Sequence, residues 1–591
     1  MIITDTKRTI AVFLLFAMIG SALYGITLKS PFIMDDLPQI VENPDIKSFG
    51  NLAPVFKKGF LPRRHLGEKD QWYRPFQTLT YMVDYRFWRL NTAGYHITCI
   101  ALHIVNACLI FVFLLMITGE RFVSALTGLF FLIHPTNAEA VNYISGRGDL
   151  LLVCFILLAF ISYMTAVDRR KVPAYFASLF FFSFALLSKE TAVIFPGLIF
   201  LYHVFVRKKF EAVHIVNFLG FIVILAIYFV IRENLPILHI GEVKYDLAIP
   251  ARVLNFVRIT GAYFFILIWP VSLNISRWLP PFKTVLDPFF ITGALALSGS
   301  LLFFVKSLKN KNGSNTFFLG WVFAAFLPTS GLLMPTTSII AERYMYLPAI
   351  GLFFLLASAV NRMSHLEKIK PAVLSGLGAV VCFWCVATFM RNTEWTDPVK
   401  FYSSSIARNP HSIHRTDLAK EYSEAGDFRN ALLMYEEALR HTQQVDGMLN
   451  PLNNMGNLYC KINKLDKAEE CFKKTLSLSP GFSRAHIGLG NVYLMSGRIK
   501  KAIEEYGKAI EKGGRHPGTF VNMGICYERL KDPGPAEMYY QKAIQFDPSF
   551  IPSYNRLAFL YIRQNRIEEA KRICEKSINI DPQNLEAHMF L

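Results

Sequence analysis

The sequence predicts an all-α protein in two parts: a polytopic transmembrane helical bundle, followed by an α-solenoid. Three observations predict it. Of the 591 residues 53% are hydrophobic, the apolar residues before position 391 gather into long runs, and the rest of the chain repeats with a period of 34. We assign residues 1–391 to the membrane part, with its first external loop at 29–93, residues 392–411 to a linker and residues 412–591 to the repeats.

Eleven apolar segments are long enough to cross a bilayer. They lie at residues 10–28, 94–117, 122–140, 149–167, 173–188, 191–206, 214–231, 287–305, 317–334, 343–360 and 371–390. A further segment near 253–269 contains Arg258, and the sequence leaves open whether it crosses. Within the first external loop, residues 75–90 have the spacing of an amphipathic helix on the membrane surface.

The charge distribution indicates topology and gives no support to nucleic-acid binding. Residues 392–591 carry 27 Lys and Arg against 24 Asp and Glu, so +15 of the formal net charge of +18 lies in the membrane part. Its basic short loops are residues 168–171, 207–210, 306–312 and 362–370. All four are cytoplasmic if the 253–269 segment does not cross, which places the repeats on the periplasmic or lumenal side of a bacterial inner membrane or an endoplasmic reticulum membrane. If that segment crosses, the repeats are cytoplasmic.

The nine cysteines form no recognisable disulfide or metal-ligand framework. Cys382 and Cys385 make a CxxC pair, but they lie inside an apolar span, where helix packing is the expected role. The first span follows Lys7 and Arg8 with no small-residue cleavage site after it, so we expect an uncleaved anchor.

The C-terminal part is predicted to contain five tetratricopeptide repeats and the start of a sixth. Gly456, Gly490, Gly524 and Ala558 recur every 34 residues, each three residues before a tyrosine. Small residues at this position leave room for the two helices of a unit to cross. The units are residues 412–448, 449–482, 483–516, 517–550, 551–584 and a partial 585–591.

Such arrays present a concave groove lined by the first helix of each unit. Asn457 and Asn491 occupy equivalent positions in successive units, so they are candidates to hydrogen-bond an extended peptide in this groove. The alternative is that both are solvated residues on a helix face.

Ionisable residues gather at the predicted external ends of the spans. They are Asp35, Asp36, His134, Glu139, Arg147, Lys189, Glu190, Glu342 and Arg343. Because ionisable groups beside hydrocarbon are costly, their convergence on one side predicts a polar cavity. Interfacial solvation is the alternative for each residue alone, and the Asp35-Asp36 pair would also suit a helix cap.

Six short motifs occur in order through the membrane part. They are FIMDDLPQIVENP at 32–44, YRPF at 73–76, YHITCIALHIVNA at 95–107, HPTNAEAVNYISGRGDLL at 134–151, LLSKETA at 186–192 and AERYMYLP at 341–348. With the repeats after them, they resemble the transmembrane and tetratricopeptide-repeat-containing O-mannosyltransferases, and more broadly the GT-C glycosyltransferases that use a lipid-phosphate sugar. The chain is shorter than the animal members of that family and has fewer repeats.

The resemblance implies an inverting membrane glycosyltransferase. It would move a sugar, mannose, from a polyprenyl-phosphate carrier to hydroxyls of protein acceptors recruited by the repeats. Asp35 or Asp36 in the first external loop would act as the general base. The lipid phosphate would be bound by the cations Arg147, Lys189 and Arg343. The remaining residues of the lipid-phosphate and sugar site would orient these groups or the sugar; they are His134, Glu139, Glu190 and Glu342. Among the cations Arg147 is preferred, because a guanidinium binds phosphate oxygens bidentately.

No cofactor is expected beyond the lipid-linked donor itself. Adjacent Asp35 and Asp36 would suit a divalent metal, but no third ligand is evident in the sequence. Two other functions stay open. One is sugar transfer to a glycan or lipid acceptor, and the other is a non-catalytic, membrane-anchored tetratricopeptide scaffold.

Overall fold

A computed structural model describes residues 6–57, 72–209, 212–235, 248–333 apart from positions 276, 278, 280, 281 and 283, 340–409, 414–442 and 445–591. In these ranges the chain is helical, and Arg277 and Ile340 form an isolated antiparallel bridge. The described residues divide into two compact units, one within 6–409 and the other within 414–591. The predicted all-α class is confirmed.

Sixteen α-helices build the described part of the first unit. They are α1 (Thr6–Tyr24), α2 (Leu52–Phe56), α3 (Pro75–Trp88), α4 (Thr92–Thr118), α5 (Arg121–Ile133), α6 (Ala138–Asn142), α7 (Arg147–Arg169), α8 (Val172–Ser188), α9 (Phe195–Leu201), α10 (Ala212–Glu233), α11 (Ile249–Ile268), α12 (Pro288–Lys309), α13 (Gly313–Phe326), α14 (Ala349–Ser364), α15 (Lys370–Glu394) and α16 (Pro398–Arg408). In the described residues, eight helical segments are long and apolar enough to cross a membrane. Helices α5, α8 and α14 are apolar but shorter.

Three predicted spans are shorter than the apolar run suggests. The 317–334 span ends as α-helix at Phe326, before the 3₁₀ turn Leu327–Thr329. The other two end beside the candidate site. The 122–140 span stops at Ile133, because His134 and Pro135 take the chain into short helical turns. The 343–360 span becomes α-helical only at Ala349, after the 3₁₀ turn Glu342–Met345. Both ends therefore become loops, and these two loops supply much of the candidate site.

An aromatic core in the bundle supports one of these loops from below. Trp321 of α13 is completely buried, and its Nε1 donates to the Leu347 carbonyl at 3.0 Å. The Tyr346 hydroxyl lies 2.8 Å from Nδ1 of His103 and accepts from Asn106 Nδ2 at 3.2 Å. Helices α4 and α13 thus fix the 341–348 loop before any ligand is considered.

Helix α11 contacts the same end of the bundle at both of its termini. Arg252 Nη1 donates to the Leu332 carbonyl at 3.4 Å, and His134 Nε2 bonds the Leu267 carbonyl at 3.1 Å. Leu332 follows α13 and His134 follows α5, and the loops after these two helices are themselves joined by a salt bridge described below. Helix α11 is also one of the eight segments long and apolar enough to cross, so whether it crosses stays open, as the sequence left it.

Helices α11 and α12 approach each other closely. A Cβ added to Gly261 would lie 1.9 Å from the Phe289 carbonyl, and one added to Gly293 would lie 1.8 Å from the Val257 carbonyl, so only glycine fits at this crossing. The positive charge of Arg258 on α11 is paired with a carboxylate, since Arg258 Nε bonds Asp287 Oδ2 at 2.8 Å.

The second unit consists of helix pairs with the predicted period. They are α17 (Arg415–Glu424) with α18 (Phe428–His441), α19 (Val445–Lys461) with α20 (Leu465–Leu478), α21 (Ser483–Met495) with α22 (Ile499–Glu511), α23 (Pro517–Arg529) with α24 (Pro533–Phe546), α25 (Ile551–Arg563) with α26 (Ile567–Ile580), and then α27 (Leu585–Phe590). A Cβ on Gly490 would lie 2.6 Å from the Tyr506 ring, and one on Gly524 would lie 2.4 Å from the Tyr540 ring. The recurring glycines are therefore required by the helix crossing, as predicted.

The predicted linker at 392–411 is largely helical and belongs to the first unit. Helix α15 continues to Glu394, and α16 covers Pro398–Arg408. Arg408 Nη1 bonds Glu394 Oε2 at 2.8 Å, and Ser405 Oγ donates to Asn274 Oδ1 at 2.8 Å. These polar contacts anchor α16 to the bundle. Residues 410–411 lie outside the described part of the chain.

Candidate active site

The two predicted catalytic carboxylates have different environments. Asp36 is buried: its Oδ1 accepts from the Ser145 amide at 2.8 Å and the Ser145 hydroxyl at 2.6 Å, and its Oδ2 accepts from the Ile33 amide at 3.2 Å. Burial raises the pKa of Asp36 to about 7. Asp35 is exposed and accepts one hydrogen bond, from the Tyr143 hydroxyl to Oδ2 at 2.6 Å. Only Asp35 therefore presents a carboxylate to a substrate.

The backbone before this pair explains why adjacent side chains diverge. Met34 has a φ of 51°, in the left-handed region that residues with a Cβ seldom adopt. Such a conformation costs of order 1–3 kcal/mol and persists where the surroundings hold it. Here the three hydrogen bonds to Asp36 hold the turn, which leaves Asp35 facing outward.

Arg343 lies on the other side of Tyr143. Its guanidinium is 5.7 Å from the Tyr143 ring centre and 5.4 Å from the Tyr344 ring centre. Its Nη1 forms a salt bridge with Glu139, and the Arg343 amide donates to Glu139 Oε2 at 3.3 Å. The Arg343 side chain is 20% exposed, and in the described part of the chain Nε and Nη2 have no hydrogen-bond acceptor. These two donors are available to an anion.

Glu139 is completely buried, and burial raises its pKa despite the neighbouring Arg343. Its contacts run to the Arg343 guanidinium and backbone, so it holds that side chain in one orientation. The same salt bridge joins the loop after α5 to the loop after α13.

Lys189 and Glu190 are each paired with a partner that the sequence interpretation missed. Lys189 is buried, and its Nζ donates to both oxygens of Asp149 at 2.6 Å. Glu190 binds Arg74 in a bidentate pair, at 2.6 Å from Nη2 and 3.0 Å from Nε. The Lys189 ammonium is also 5.8 Å from the Tyr344 ring centre, which places this pair next to Arg343. The signal available in the sequence for Asp149 was its position two residues after Arg147, in the first turn of α7.

Arg147 does not reach open space, which contradicts its predicted role as the preferred phosphate ligand. Its side chain is 0% exposed, and Nη1 pairs with Asp84 Oδ2 at 2.6 Å. Its remaining donors reach the Tyr95 carbonyl at 3.1 Å, Thr80 Oγ1 at 3.2 Å and Cys99 Sγ at 3.4 Å. The missed partner is Asp84 on α3, the amphipathic helix that was predicted to lie on the membrane surface. Arg147 fixes the loop before α7 against α3 and α4.

His134 and Glu342 are also buried. His134 Nδ1 accepts from the Thr136 amide at 3.3 Å while Nε2 bonds the Leu267 carbonyl, and burial lowers the pKa of His134 to about 3. Glu342 lies 3.6 Å from Arg391 Nη2, and burial raises its pKa to about 7. The contacts of both residues hold the loops around the site, and neither side chain is exposed to a substrate.

The two asparagines proposed for the repeat groove are no longer equivalent. Asn457 is exposed. Asn491 Oδ1 accepts from the Tyr506 hydroxyl at 2.6 Å and from Asn522 Nδ2 at 2.9 Å, so its carbonyl oxygen is used inside the array. Asn457 alone keeps the full hydrogen-bonding capacity that the prediction required.

In the described residues, no group of three His, Cys, Asp or Glu side chains lies close enough together to hold a metal ion. Asp35 and Asp36 point to different partners, so they do not chelate as a pair.

Comparison with known proteins places both units among the same relatives. Tetratricopeptide-repeat family models match residues 450–482 and 529–591. Human "Protein O-mannosyl-transferase TMTC3" is 23% identical over 95% of this chain and 67% of its own length. The predicted family resemblance is confirmed. Drosophila melanogaster "Protein O-mannosyl-transferase Tmtc3" is 22% identical over 89% of this chain and 66% of its own length. Caenorhabditis elegans "Protein O-mannosyl-transferase F38B6.6" is 27% identical over 70% of this chain and 60% of its own length.

The chain spans about two thirds of the length of these O-mannosyl-transferases. Because the match to the human relative covers 95% of this chain, it includes residues of the membrane unit and of the repeats. The similarity therefore concerns the combination of a helical membrane unit with tetratricopeptide repeats, and not the repeats alone.

Proposed function

We propose that this protein is a membrane glycosyltransferase that moves mannose from a polyprenyl-phosphate carrier to hydroxyl groups of protein acceptors. The observation that carries the proposal is the pairing of an exposed carboxylate, Asp35, with a cation that has unused donors, Arg343, on two sides of Tyr143. The names of the relatives, protein O-mannosyl-transferases, support the sugar and the acceptor class.

The reaction is a single displacement at the anomeric carbon. The acceptor hydroxyl oxygen forms a bond to that carbon while the bond from the carbon to the phosphate oxygen breaks. The electron pair of the broken bond stays on the phosphate, and the hydroxyl proton passes to Asp35. The products are the glycosylated protein, with inverted anomeric configuration, and the polyprenyl phosphate. A positioned base contributes about 10²–10⁴-fold to such a step.

Arg343 stabilises the leaving phosphate in this scheme. Negative charge grows on the phosphate as the bond breaks, so a fixed cation lowers the barrier most in the transition state. The Nε and Nη2 donors suit this role because Glu139 uses Nη1 and thereby fixes the plane of the guanidinium. Arg74 and Lys189, held by Glu190 and Asp149, supply further positive charge to the rim of the site. No metal is required for the charge balance of this step.

The sidedness of the reaction follows from the loop charges. We place the site and the repeats on the periplasmic or lumenal side, as the short basic loops predict when α11 does not cross. Because α11 is itself long and apolar enough to cross, the labelling experiment below decides between the two topologies. A bacterial inner membrane and an endoplasmic reticulum membrane both fit.

The repeats bind the acceptor in this proposal. Tetratricopeptide arrays present a groove for extended peptides, and exposed Asn457 offers an amide for a peptide backbone. Recruitment by a separate unit raises the local concentration of acceptor hydroxyls.

The direct test uses the purified full-length chain in lipid nanodiscs, a panel of polyprenyl-phosphate sugars and candidate acceptor polypeptides, with products scored by intact mass. We expect mannose transfer to serine or threonine hydroxyls, undiminished by EDTA. Transfer to a glycan or lipid in place of polypeptide would overturn the acceptor assignment. Absence of transfer with every donor would favour the scaffold.

Sidedness has its own test. Single cysteines placed at Asn457 and at exposed Glu367 are labelled with a membrane-impermeant maleimide in sealed vesicles of known orientation. We expect labelling from opposite sides. Labelling of both from one side would contradict the topology.

A further inference from the structure

Tyr143 contacts both groups that the proposed reaction needs. Its hydroxyl donates to Asp35 Oδ2 at 2.6 Å, and the Arg343 guanidinium lies 5.7 Å from the centre of its ring. Tyr143 is 3% exposed, so both contacts are largely shielded from water. A single rigid aromatic residue therefore separates the carboxylate from the cation.

The surroundings fix Tyr143 independently of any ligand. Its amide donates to the Glu139 carbonyl at 3.0 Å, and its carbonyl accepts from the Gly146 amide at 2.8 Å. The ring packs beside Trp395, with centroids 6.4 Å apart, and Trp395 packs on Phe401 of α16 at 4.5 Å. The tyrosine thus has little freedom in either the backbone or χ1.

The hydroxyl remains a donor at any physiological pH. Burial raises the pKa of Tyr143 well above its ordinary value, and the nearby carboxylates of Asp35 and Asp36 raise it further. A protonated phenol occupies one lone pair of Oδ2 and fixes the rotamer of an otherwise exposed aspartate. The orientation of the other Asp35 oxygen, Oδ1, is therefore fixed as well.

We propose that Tyr143 is a positioning residue that sets the separation between the Asp35 base and the phosphate-binding Arg343; this inference rests on the proposed function. In an inverting displacement the attacking oxygen and the leaving phosphate oxygen stand on opposite sides of one carbon. The base and the cation must therefore keep a fixed distance, and small displacements of either cost much of the rate.

The two ends of Tyr143 affect different kinetic constants. The hydroxyl acts on Asp35, which is needed only as the hydroxyl of the acceptor is deprotonated, so its loss lowers kcat. The ring acts on Arg343, which binds the phosphate in the ground state and more strongly in the transition state, so its loss raises the donor KM and lowers kcat further. A residue that only supported the fold would not separate these constants.

The test compares Tyr143→Phe with Tyr143→Leu in the full-length protein in nanodiscs, with polyprenyl-phosphate mannose as the donor. For Tyr143→Phe we expect kcat to fall about 10-fold or more while the donor KM stays within about twofold. For Tyr143→Leu we expect a fall in kcat at least as large and, in addition, a donor KM raised about 5- to 10-fold.

Tyr175→Phe is the matched control. The Tyr175 hydroxyl donates to the Asn217 carbonyl at 2.8 Å between α8 and α10, so this variant also loses a partly buried tyrosine hydrogen bond. For Tyr175→Phe we expect both kinetic constants to stay within about twofold of wild type. The change in its thermal midpoint should be similar to that of Tyr143→Phe.

An active wild type with an unaffected Tyr143→Phe variant overturns this inference alone. So does a Tyr143→Phe variant in which kcat and KM change together, with a drop in thermal midpoint much larger than that of Tyr175→Phe. A folded wild type that turns over no donor overturns the proposed function and this inference with it.

Discussion

Asp36 and Ser145 are joined by two hydrogen bonds to one carboxylate oxygen, from the amide at 2.8 Å and from the hydroxyl at 2.6 Å. They tie the first external loop to the loop before α7. Because the Asp36 carboxyl that accepts these bonds is buried, the stability of the folded chain depends on pH.

Asp36→Asn should weaken that dependence. Burial raises the folded-state pKa of Asp36 from 3.8 to about 7, so between about pH 4 and pH 7 the folded chain holds a proton that the unfolded chain has lost. Asp36 therefore favours folding below about pH 4 and loses that contribution as the pH rises to about 7. Each pH unit in this window changes the free energy of unfolding by at most about 1.4 kcal/mol per group.

The measurement is the thermal midpoint of the wild type and the variant from pH 4 to pH 8. Glu342 acts with the same sign as Asp36, and His134, whose pKa is lowered to about 3, acts with the opposite sign, so only the difference between variants isolates Asp36. Glu367→Gln, at a side chain that is 82% exposed, is the control. Parallel curves for wild type and Asp36→Asn would contradict this account of the buried carboxyl.

Arg343→Lys should impair use of the donor without unfolding the loop. Lysine keeps the charge beside Glu139 but loses the planar fork that grips two phosphate oxygens. We expect kcat/KM for the lipid-phosphate donor to fall about 10-fold or more. Arg207→Lys is the matched control, because Arg207 pairs with Asp168 outside the site. Equal effects of the two substitutions would remove the case for phosphate binding by Arg343.

Asp84→Asn should destabilise the membrane unit. It leaves the completely buried Arg147 guanidinium without its carboxylate, a change that costs roughly 3–5 kcal/mol. Asp168→Asn is the control, since Asp168 is 47% exposed and its loss should cost about 1 kcal/mol or less. Thermal midpoints and yields of folded protein check this. If Asp84→Asn were as stable as wild type but bound the donor poorly, Arg147 would recover its predicted role at the phosphate.

Gly490→Ala should destabilise the repeats. The new Cβ would lie 2.6 Å from the Tyr506 ring, so α21 and α22 must separate, at a cost of about 1–3 kcal/mol. Gly507→Ala is the control: Gly507 lies inside α22 with open space around its Cβ position, so alanine should stabilise by about 0.5–1 kcal/mol. Limited proteolysis of the repeats in the full-length chain distinguishes the two. Opposite signs are expected, and equal protease resistance would contradict the packing argument.

Local pattern was sufficient for most of the fold. The 34-residue period, with glycine opposite an aromatic ring, predicted the repeat units: the helix pairs from α21 to α26 each lie inside a predicted unit, while α19 begins at Val445, before the unit predicted at 449–482. Apolar runs placed the membrane helices, with errors at Ile133 and Ala349, where a proline or a 3₁₀ turn ends a helix inside an apolar stretch. The linker prediction was wrong because Arg408 and Ser405 form tertiary contacts that composition does not reveal.

The site was harder to predict because charge pairing is set by tertiary structure. The sequence brings Asp35 and Arg343 forward as candidates, but the burial of Arg147 depends on Asp84, 63 positions away. Likewise, adjacent Asp35 and Asp36 are equivalent in sequence and become different only through Tyr143 and Ser145. Partners that lie far apart in the chain leave no periodic signal.

The most direct test of the central claim is the rate of mannose transfer by the wild type and by Asp35→Asn, measured by intact mass with polyprenyl-phosphate mannose and a serine- and threonine-containing acceptor. Asparagine preserves the size of the side chain and removes the base. The account predicts transfer by the wild type and a fall of about 10²–10⁴-fold in kcat for Asp35→Asn, with an unchanged thermal midpoint. Equal transfer by the two proteins would contradict the assignment of Asp35 as the base.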